Sequence, residues 1–169
     1  KSHILNKYIN SPIDIKMDPI SLITEATSKL RKESSWTSKW RVQHYEEIAN
    51  LYVKAGNLFK LKKQWTEAID AYTKAHDCYI KDNSTYEANK CNIEIAKCSR
   101  HTDMNQCKLY TTKVINNFME KGDFYNVGTY QEKLALLYQE EDSFDKAIAE
   151  YETAIEYYDA SEMEASSMR

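Results

Sequence analysis

The sequence is poor in the two residue types that punctuate compact β-structure, with three glycines and two prolines among 169 residues. That is roughly a quarter of the usual share of these residues in globular proteins. A β-sandwich or barrel needs turn residues every 8–12 positions, and this chain does not have them. The composition therefore predicts long helices joined by short turns, in a chain of about one domain.

Long apolar runs are also missing. The longest aliphatic and aromatic run extends from Leu134 to Tyr138, far short of the roughly 20 apolar residues that a membrane-spanning helix needs. No secretory signal pattern opens the chain. Hydrophobic residues still make up 42% of the sequence, which is enough to build a core. We therefore expect a folded cytoplasmic protein.

Catalytic and metal-binding constellations are absent from the sequence pattern. No cysteines form a CxxC pair, no histidines have metal-ligand spacing, and the scattered glycines form no phosphate loop. The acidic stretches lack the central glycine of a calcium loop. We expect no enzyme activity, cofactor or metal, and interpret the cysteines as reduced core thiols rather than disulfides or a zinc site. The residues concerned are Cys78, Cys91, Cys98, Cys107, His3, His44, His76 and His101.

Charge is unevenly distributed around a net value of −3. Residues 29–63 hold nine Lys or Arg and three Asp or Glu, whereas residues 139–164 hold one Lys and ten Asp or Glu. We interpret the acidic run as a solvated helix face. The negative net charge argues against a nucleic-acid partner, and the 13 tyrosines recur at helical spacing, so we expect them to pack between helices.

Apolar periodicity divides the chain into helices. Residues 1–16 lack the pattern and are interpreted as an extension or tag-like segment, with Met17 as a hypothetical natural start of a domain over 17–169. Asp18 and Pro19 suit the N-cap and first position of a helix over 19–33. The apolar face predicted for that helix consists of Ile20, Ile23, Ala26, Thr27 and Leu30.

Six further apolar stripes follow, separated by short polar breaks. In those breaks Asn83, Asp103, Asp123 and Ser143 are candidate N-caps or turn residues. The stripes cover about 43–61, 65–81, 85–100, 104–120, 124–139 and 144–159.

A repeat runs through these stripes. Trp65, Met104 and Phe144 fall at offsets of 39 and 40 residues. Around them, small and bulky residues recur at matching positions, and small residues let two helices approach closely. This pattern predicts an all-α fold, a right-handed superhelical array of antiparallel helical hairpins of the TPR-like α-solenoid type. The matched sets are Ala68, Cys107, Ala147; Ala75, Val114, Ala154; Phe59, Cys98, Tyr138; and Gly56, Ile95, Ala135.

Two tryptophans stand outside the repeat. Trp36 and Trp40 lie in a Ser-rich connection together with Lys39 and Arg41. One interpretation is a lid packed on the first hairpin. The other is a loop that inserts both indoles at a bilayer interface while the basic side chains meet an anionic membrane surface. Such attachment would be weak and reversible.

Three stretches together resemble the soluble NSF-attachment protein (SNAP) family. Residues 55–60 (AGNLFK) with 64–68 (QWTEA) are similar to the family's Ala-x-Met-Phe-Lys and Asn-Trp-x-x-Ala. Residues 145–152 (DKAIAEYE) form the second stretch. The third is Tyr157-Tyr158, followed by an acidic, Ser-rich linker to Arg169.

The resemblance implies an adaptor that binds a SNARE bundle along one basic face and recruits the NSF-type AAA ATPase for SNARE recycling in intracellular protein transport. It places the family's membrane-attachment loop at Trp36 and Trp40, and a SNARE-contacting basic residue at Arg169. In alpha-type members of the family, two other SNARE-contacting positions are basic. In this sequence those positions hold Asp123 and Thr129, which favours a gamma-like member over an alpha-like one.

The family's chains are longer, and their C-terminal end contacts the ATPase. We therefore expect a peripheral membrane adaptor fragment without that end. The alternative is a generic TPR-type scaffold that grips a peptide tail of a chaperone or other partner. For that function, Lys54, Asn57, Lys90 and Lys97 could supply the polar cluster.

Overall fold

A computed structural model of the chain describes residues 18–33 and 44–167. Within these ranges it contains α-helices and no strands. The all-α class predicted from the repeat is confirmed. The helices are α1 (Pro19–Glu33), α2 (Tyr45–Leu61), α3 (Trp65–Lys81), α4 (Thr85–Ser99), α5 (Met104–Glu120), α6 (Phe124–Glu140) and α7 (Phe144–Ser167).

A nearly constant period relates α2 to α7. Their first residues are 20, 20, 19, 20 and 20 positions apart. The one shorter step follows α4, which has 15 residues and is joined to α5 by the four residues 100–103. Two helices and their turns therefore account for the 39- and 40-residue offsets of the sequence repeat.

Four of the five turns between α2 and α7 share one geometry. In each, one residue has a left-handed φ of 56–69°, at Lys63, Asn83, Gly122 and Asp142. The following backbone N–H then donates to a carbonyl five residues earlier, as Gln64 does to Phe59 at 2.9 Å. This is the Schellman ending of a helix, and it reverses the chain within three residues. Consecutive helices are therefore antiparallel.

Side-chain caps begin several helices where the sequence predicted them. Asp103 accepts hydrogen bonds from the backbone N–H groups of Asn105 at 2.9 Å and Gln106 at 3.2 Å. Asp123 caps α6 through the N–H of Asn126 at 3.2 Å. Asn83 serves as a turn residue rather than a cap.

Each helix packs mainly on the helix before it and the helix after it. The matched small positions of the repeat lie at these contacts and are buried, with Ala68, Ala75 and Ala135 fully inaccessible. The four cysteines are buried free thiols, as predicted, and burial raises the pKa of Cys91 to about 12. The fold is therefore an array of helical hairpins in which each buries its apolar face against its neighbours.

The apolar face of α1 differs from the prediction. Ala26 is buried and Ile23 and Leu30 are half-buried, as predicted, whereas Ile20 is 63% exposed and Leu22, which was not predicted, is buried. Thr27 is also exposed, although its hydroxyl lies 3.0 Å from the Tyr52 hydroxyl. α1 packs mainly on α2. The buried face of α1 is therefore narrow, and it lies to one side of the apolar face predicted from the sequence.

The end of α7 also differs. A linker was predicted after Tyr158, but the helix continues to Ser167. Residues 159–167 contain no glycine or proline, and their Ala, Glu and Met residues have high helix propensity. No signal in that stretch ends a helix. The carboxylates of Asp145, Glu152 and Glu156 on α7 are exposed, in agreement with a solvated acidic face.

Two glycines inside helices let a tyrosine ring lie against the backbone. A Cβ built on Gly56 of α2 would lie 2.9 Å from Cε1 of Tyr72 on α3. At Gly128 of α6 the ring of Tyr158 on α7 would be 3.0 Å away. These distances are shorter than van der Waals contact allows, so glycine is required for the close packing.

We predict that Gly56→Ala destabilises the protein by up to about 2 kcal/mol. Alanine gains about 1 kcal/mol of helix propensity over glycine, but the overpacking against a buried ring costs about 1–3 kcal/mol or more. Urea unfolding would measure the difference. In a Tyr72→Leu background the same substitution should be neutral or stabilising, and an equal loss in both backgrounds would contradict this explanation.

Candidate interaction groove

A groove of about 520 Å³ lies between α2 and α4, and we call it the α2–α4 groove. Asn50, Val53, Asn57 and Lys60 line it from α2 at spacings of three or four residues, which is one helix face. From α4 the lining includes Lys90, Ile93, Glu94 and Lys97. The groove is partly open to solvent rather than a closed pocket.

Two tyrosines of α3 form part of the lining. The Tyr72 hydroxyl donates to Oδ1 of Asn57 at 2.7 Å, and the Tyr79 hydroxyl donates to Oδ1 of Asn50 at 2.8 Å. Both rings are almost completely buried. Burial raises the pKa of Tyr72 far above its usual range and that of Tyr79 to about 12, so both hydroxyls stay protonated at neutral pH.

These hydrogen bonds orient the two asparagine side chains. An amide that accepts through its oxygen still has two N–H donors, and Asn50 and Asn57 are two helical turns apart. Lys90 and Lys97 have the same seven-residue separation on α4. The groove therefore presents amide and ammonium donors from α2 and ammonium donors from α4.

The charges in the groove converge on Glu94. Its carboxylate accepts from Lys60 of α2 and from Lys97 on its own helix at 2.6 Å. Burial alone would raise the pKa of Glu94, but the hydrogen bonds from Lys60 and Lys97 outweigh burial and hold that pKa below its usual range. Glu94 is therefore ionised at neutral pH.

The surface continues from α4 to α6 as a second hollow of about 220 Å³. Lys97 and Tyr130 line both hollows. The ammonium of Lys133 lies 3.8 Å from the centroid of the Tyr130 ring, and burial together with the charge of Lys97 lowers the pKa of Lys133. Arg100 also lines this hollow and is paired with Glu140.

The structure brings together three of the four residues predicted for a peptide-binding cluster. Asn57, Lys90 and Lys97 line the α2–α4 groove, whereas Lys54 is exposed and does not. Lys60, Glu94 and the two tyrosines of the groove were not predicted from the sequence. The regular array brings equivalent positions of α2 and α4 together, but the particular bonds of Lys60 with Glu94 and of the tyrosines with Asn50 and Asn57 have no signal in the sequence.

The predicted membrane-contacting residues and partner-binding Arg169 lie outside the described residues. The former are Trp36, Lys39, Trp40 and Arg41. Across residues 18–33 and 44–167, no cluster of three or more His, Cys, Asp or Glu side chains is arranged to hold a metal ion. None of the helices in these ranges combines the length and apolar character needed to cross a membrane.

The described helices form an array of helical hairpins with a donor-rich groove on one face. The family model described as "Soluble NSF attachment protein, SNAP" matches residues 17–169. The chain therefore belongs to the SNAP family, and the family resemblance found in the sequence is confirmed.

Curated relatives carry the same family description. An alpha-soluble NSF attachment protein of Vitis vinifera is 30% identical over 118 residues, which cover 70% of this chain and 41% of the relative. Alpha-soluble NSF attachment proteins of Homo sapiens and Mus musculus are each 25% identical over 153 residues, covering 89% of this chain and 52% of the relative. The chain thus spans about half the length of the curated relatives it matches. The gamma-like preference drawn from Asp123 and Thr129 stays a prediction.

We predict that stability falls between about pH 10 and pH 12 because of the buried tyrosines. The pKa of Tyr79 is raised to about 12 in the folded protein, against about 10 in an unfolded chain. The folded state therefore favours the neutral phenol, and this stabilisation is complete below pH 10 and is lost as the pH rises through 12.

Denaturant unfolding at pH 8 and pH 11.5 would measure this loss. Tyr79→Phe should reduce the pH dependence and remove one late-titrating phenol from the absorbance titration. The matched control is Tyr86→Phe, because Tyr86 is 61% exposed. An equal change in both variants would contradict the assignment.

Proposed function

We propose that this chain is the SNARE-binding part of an adaptor that joins a SNARE bundle to an NSF-type AAA ATPase in vesicle-mediated transport. The observation that carries the proposal is the SNAP family match over residues 17–169. The relatives are named as NSF attachment proteins. Recruitment of the ATPase is proposed for the full-length protein, whose relatives are about twice as long.

The geometry of the groove supports a broad acidic partner. Lys60, Lys90, Lys97 and Lys133 lie on one continuous face, and Glu87 and Glu94 are the carboxylates among the lining residues of the two hollows. An excess of ammonium groups on an open face attracts and orients a negatively charged partner. We therefore assign the face formed by α2, α4 and α6 to the SNARE bundle, and Arg169 to the same partner on family resemblance.

Membrane contact is the second part of the proposal. Trp36, Trp40, Lys39 and Arg41 combine the aromatic and basic side chains that an interfacial loop needs. They follow directly on α1, whose last turn holds Arg31 and Lys32. We propose a cytoplasmic protein that attaches to membranes peripherally through this loop.

A peptide-clamp scaffold is the second candidate, and the meeting of Asn57, Lys90 and Lys97 in one groove favours it. Such a clamp needs its donors free for a terminal carboxylate. Here Lys97 and Lys90 are already paired with Glu94 and Glu87. Because these ammonium donors are already paired, the groove is suited to a partner that is attracted by many charges acting together. It is less suited to act as a preformed clamp for one carboxylate.

We predict that the protein is retained on an immobilised, assembled four-helix SNARE bundle and much less on a short acidic peptide. Replacing both Lys97 and Lys133 by Ala should weaken retention several-fold, because two ammonium groups are removed from the face. Lys74→Ala is the matched control, since Lys74 pairs with Asp70 on α3, outside the groove. Preferential retention on the peptide would instead support the clamp.

We predict that replacing Trp36 and Trp40 by Ser reduces binding to liposomes and leaves helicity and melting temperature unchanged. Replacing Lys39 and Arg41 by Gln should reduce binding to anionic liposomes only. Co-sedimentation and circular dichroism would measure these properties. A large drop in melting temperature with unchanged liposome binding would show that the indoles form a lid on the first hairpin.

A further inference from the structure

Glu94 occupies an unusual position in the α2–α4 groove. Its two carboxylate oxygens bind different lysines, with Oε2 on Lys60 of α2 and Oε1 on Lys97 of α4. The two ammonium groups come from the two sides of the groove, α2 and α4, and share a single negative charge. Glu94 therefore bridges the sides of the groove and compensates only one of the two positive charges.

The depths of the three side chains differ. The Glu94 side chain is 23% exposed, whereas those of Lys60 and Lys97 are 34% and 61% exposed. An acidic group that approaches from solvent therefore meets the ammonium groups before it meets Glu94. A partly exposed ion pair is weak, so an incoming carboxylate can compete with Glu94 for the same lysines.

The neighbouring charges leave room for an additional anion. Lys133 of α6 faces Lys97, and the charge of Lys97 disfavours the charged form of Lys133. Among residues 18–33 and 44–167, no carboxylate forms an ion pair with Lys133, although the charge of Glu132 on the same helix favours the charged form of Lys133. Glu87 is engaged by Lys90 at 2.9 Å. The α6 side of the groove thus carries positive charge that Glu94 does not reach.

We propose that Glu94 is a built-in competitor for the acidic partner of this groove. It holds Lys60 and Lys97 in place in the free protein, and a carboxylate of the partner displaces it when the complex forms. This proposal rests on the proposed function and deepens it. It assigns to Glu94 a role in limiting affinity, which an adaptor that must release its partner needs.

The test is a gain of binding in Glu94→Gln. The glutamine keeps the shape and can still accept a hydrogen bond, but it no longer holds the lysines by charge. We expect about three- to tenfold tighter binding, with a steeper salt dependence because more ammonium groups are free for the partner. The control is Glu152→Gln, which removes the same charge from an exposed site on α7, and we expect less than a twofold change.

A second variant separates bridging from net charge. Glu94→Asp keeps the negative charge, but the shorter side chain cannot span both lysines, so we expect about twofold tighter binding. If only the net charge mattered, this variant would bind like the original protein. Unchanged or weaker binding of both Glu94 variants, or an equal gain in Glu152→Gln, would overturn the proposal.

Two probes keep this proposal distinct from the proposed function. Each variant is titrated against an assembled four-helix SNARE bundle and against a poly-glutamate peptide, with melting temperatures recorded in parallel. If the original protein binds the bundle and the Glu94 variants show no gain, the competitor role fails and the adaptor function stands. If the bundle is not bound, the adaptor function fails, while a gain on poly-glutamate still supports the competitor role.

Discussion

Close approach of neighbouring helices is the constraint on which the rest of this molecule depends. Each helix buries its apolar face mainly against its neighbours in the chain, so small residues at the contacts set the spacing. At Gly56 this spacing is so short that the Tyr72 ring lies directly on the α2 backbone. The hydroxyl of that same ring then reaches Asn57 in the groove. Core packing and the interaction surface are therefore built by the same side chain.

The arrangement recurs at the other end of the described array. Tyr158 of α7 packs against Gly128 of α6, and its hydroxyl lies 3.1 Å from Oε2 of Glu132 and 3.4 Å from the Thr129 hydroxyl. Tyr158 follows Tyr79 by 79 residues, and Thr129 follows Asn50 by the same number. Tyr79 and Asn50 form the equivalent pair between α2 and α3. Polar pairs therefore recur in the repeat as well as apolar pairs. The partner of the tyrosine hydroxyl is an amide in Asn50 and a carboxylate in Glu132.

Much of the fold could be predicted from the sequence because its signals are local. Helix starts at Pro19, Trp65, Met104 and Phe144 follow caps and turn residues that lie beside them in the chain. Errors arose where the outcome depends on distant packing or on a missing stop signal. Periodicity alone does not show which side of α1 meets α2, so it places Ile20 on the buried face. A charged, Ser-rich composition is compatible with both a linker and a helix, so it does not mark the end of α7.

The groove was harder to predict for a related reason. Lys60 and Glu94 are 34 residues apart, and nothing in either segment indicates that they meet. The Asn57, Lys90 and Lys97 cluster was found because adjacent hairpins in a regular array align equivalent positions. The Trp36 and Trp40 loop lies outside the periodic pattern and outside the described residues, so its role is assigned from side-chain chemistry alone.

The near-neighbour packing has a consequence for how such a chain folds. Each contact closes a loop of about twenty residues, and the entropy lost in closing so short a loop is small. Chains dominated by local contacts of this kind fold quickly, and folding can start at any hairpin and spread in both directions. Opening one hairpin also leaves distant ones with their own partners intact, so the array can loosen in steps, one pair of helices after another.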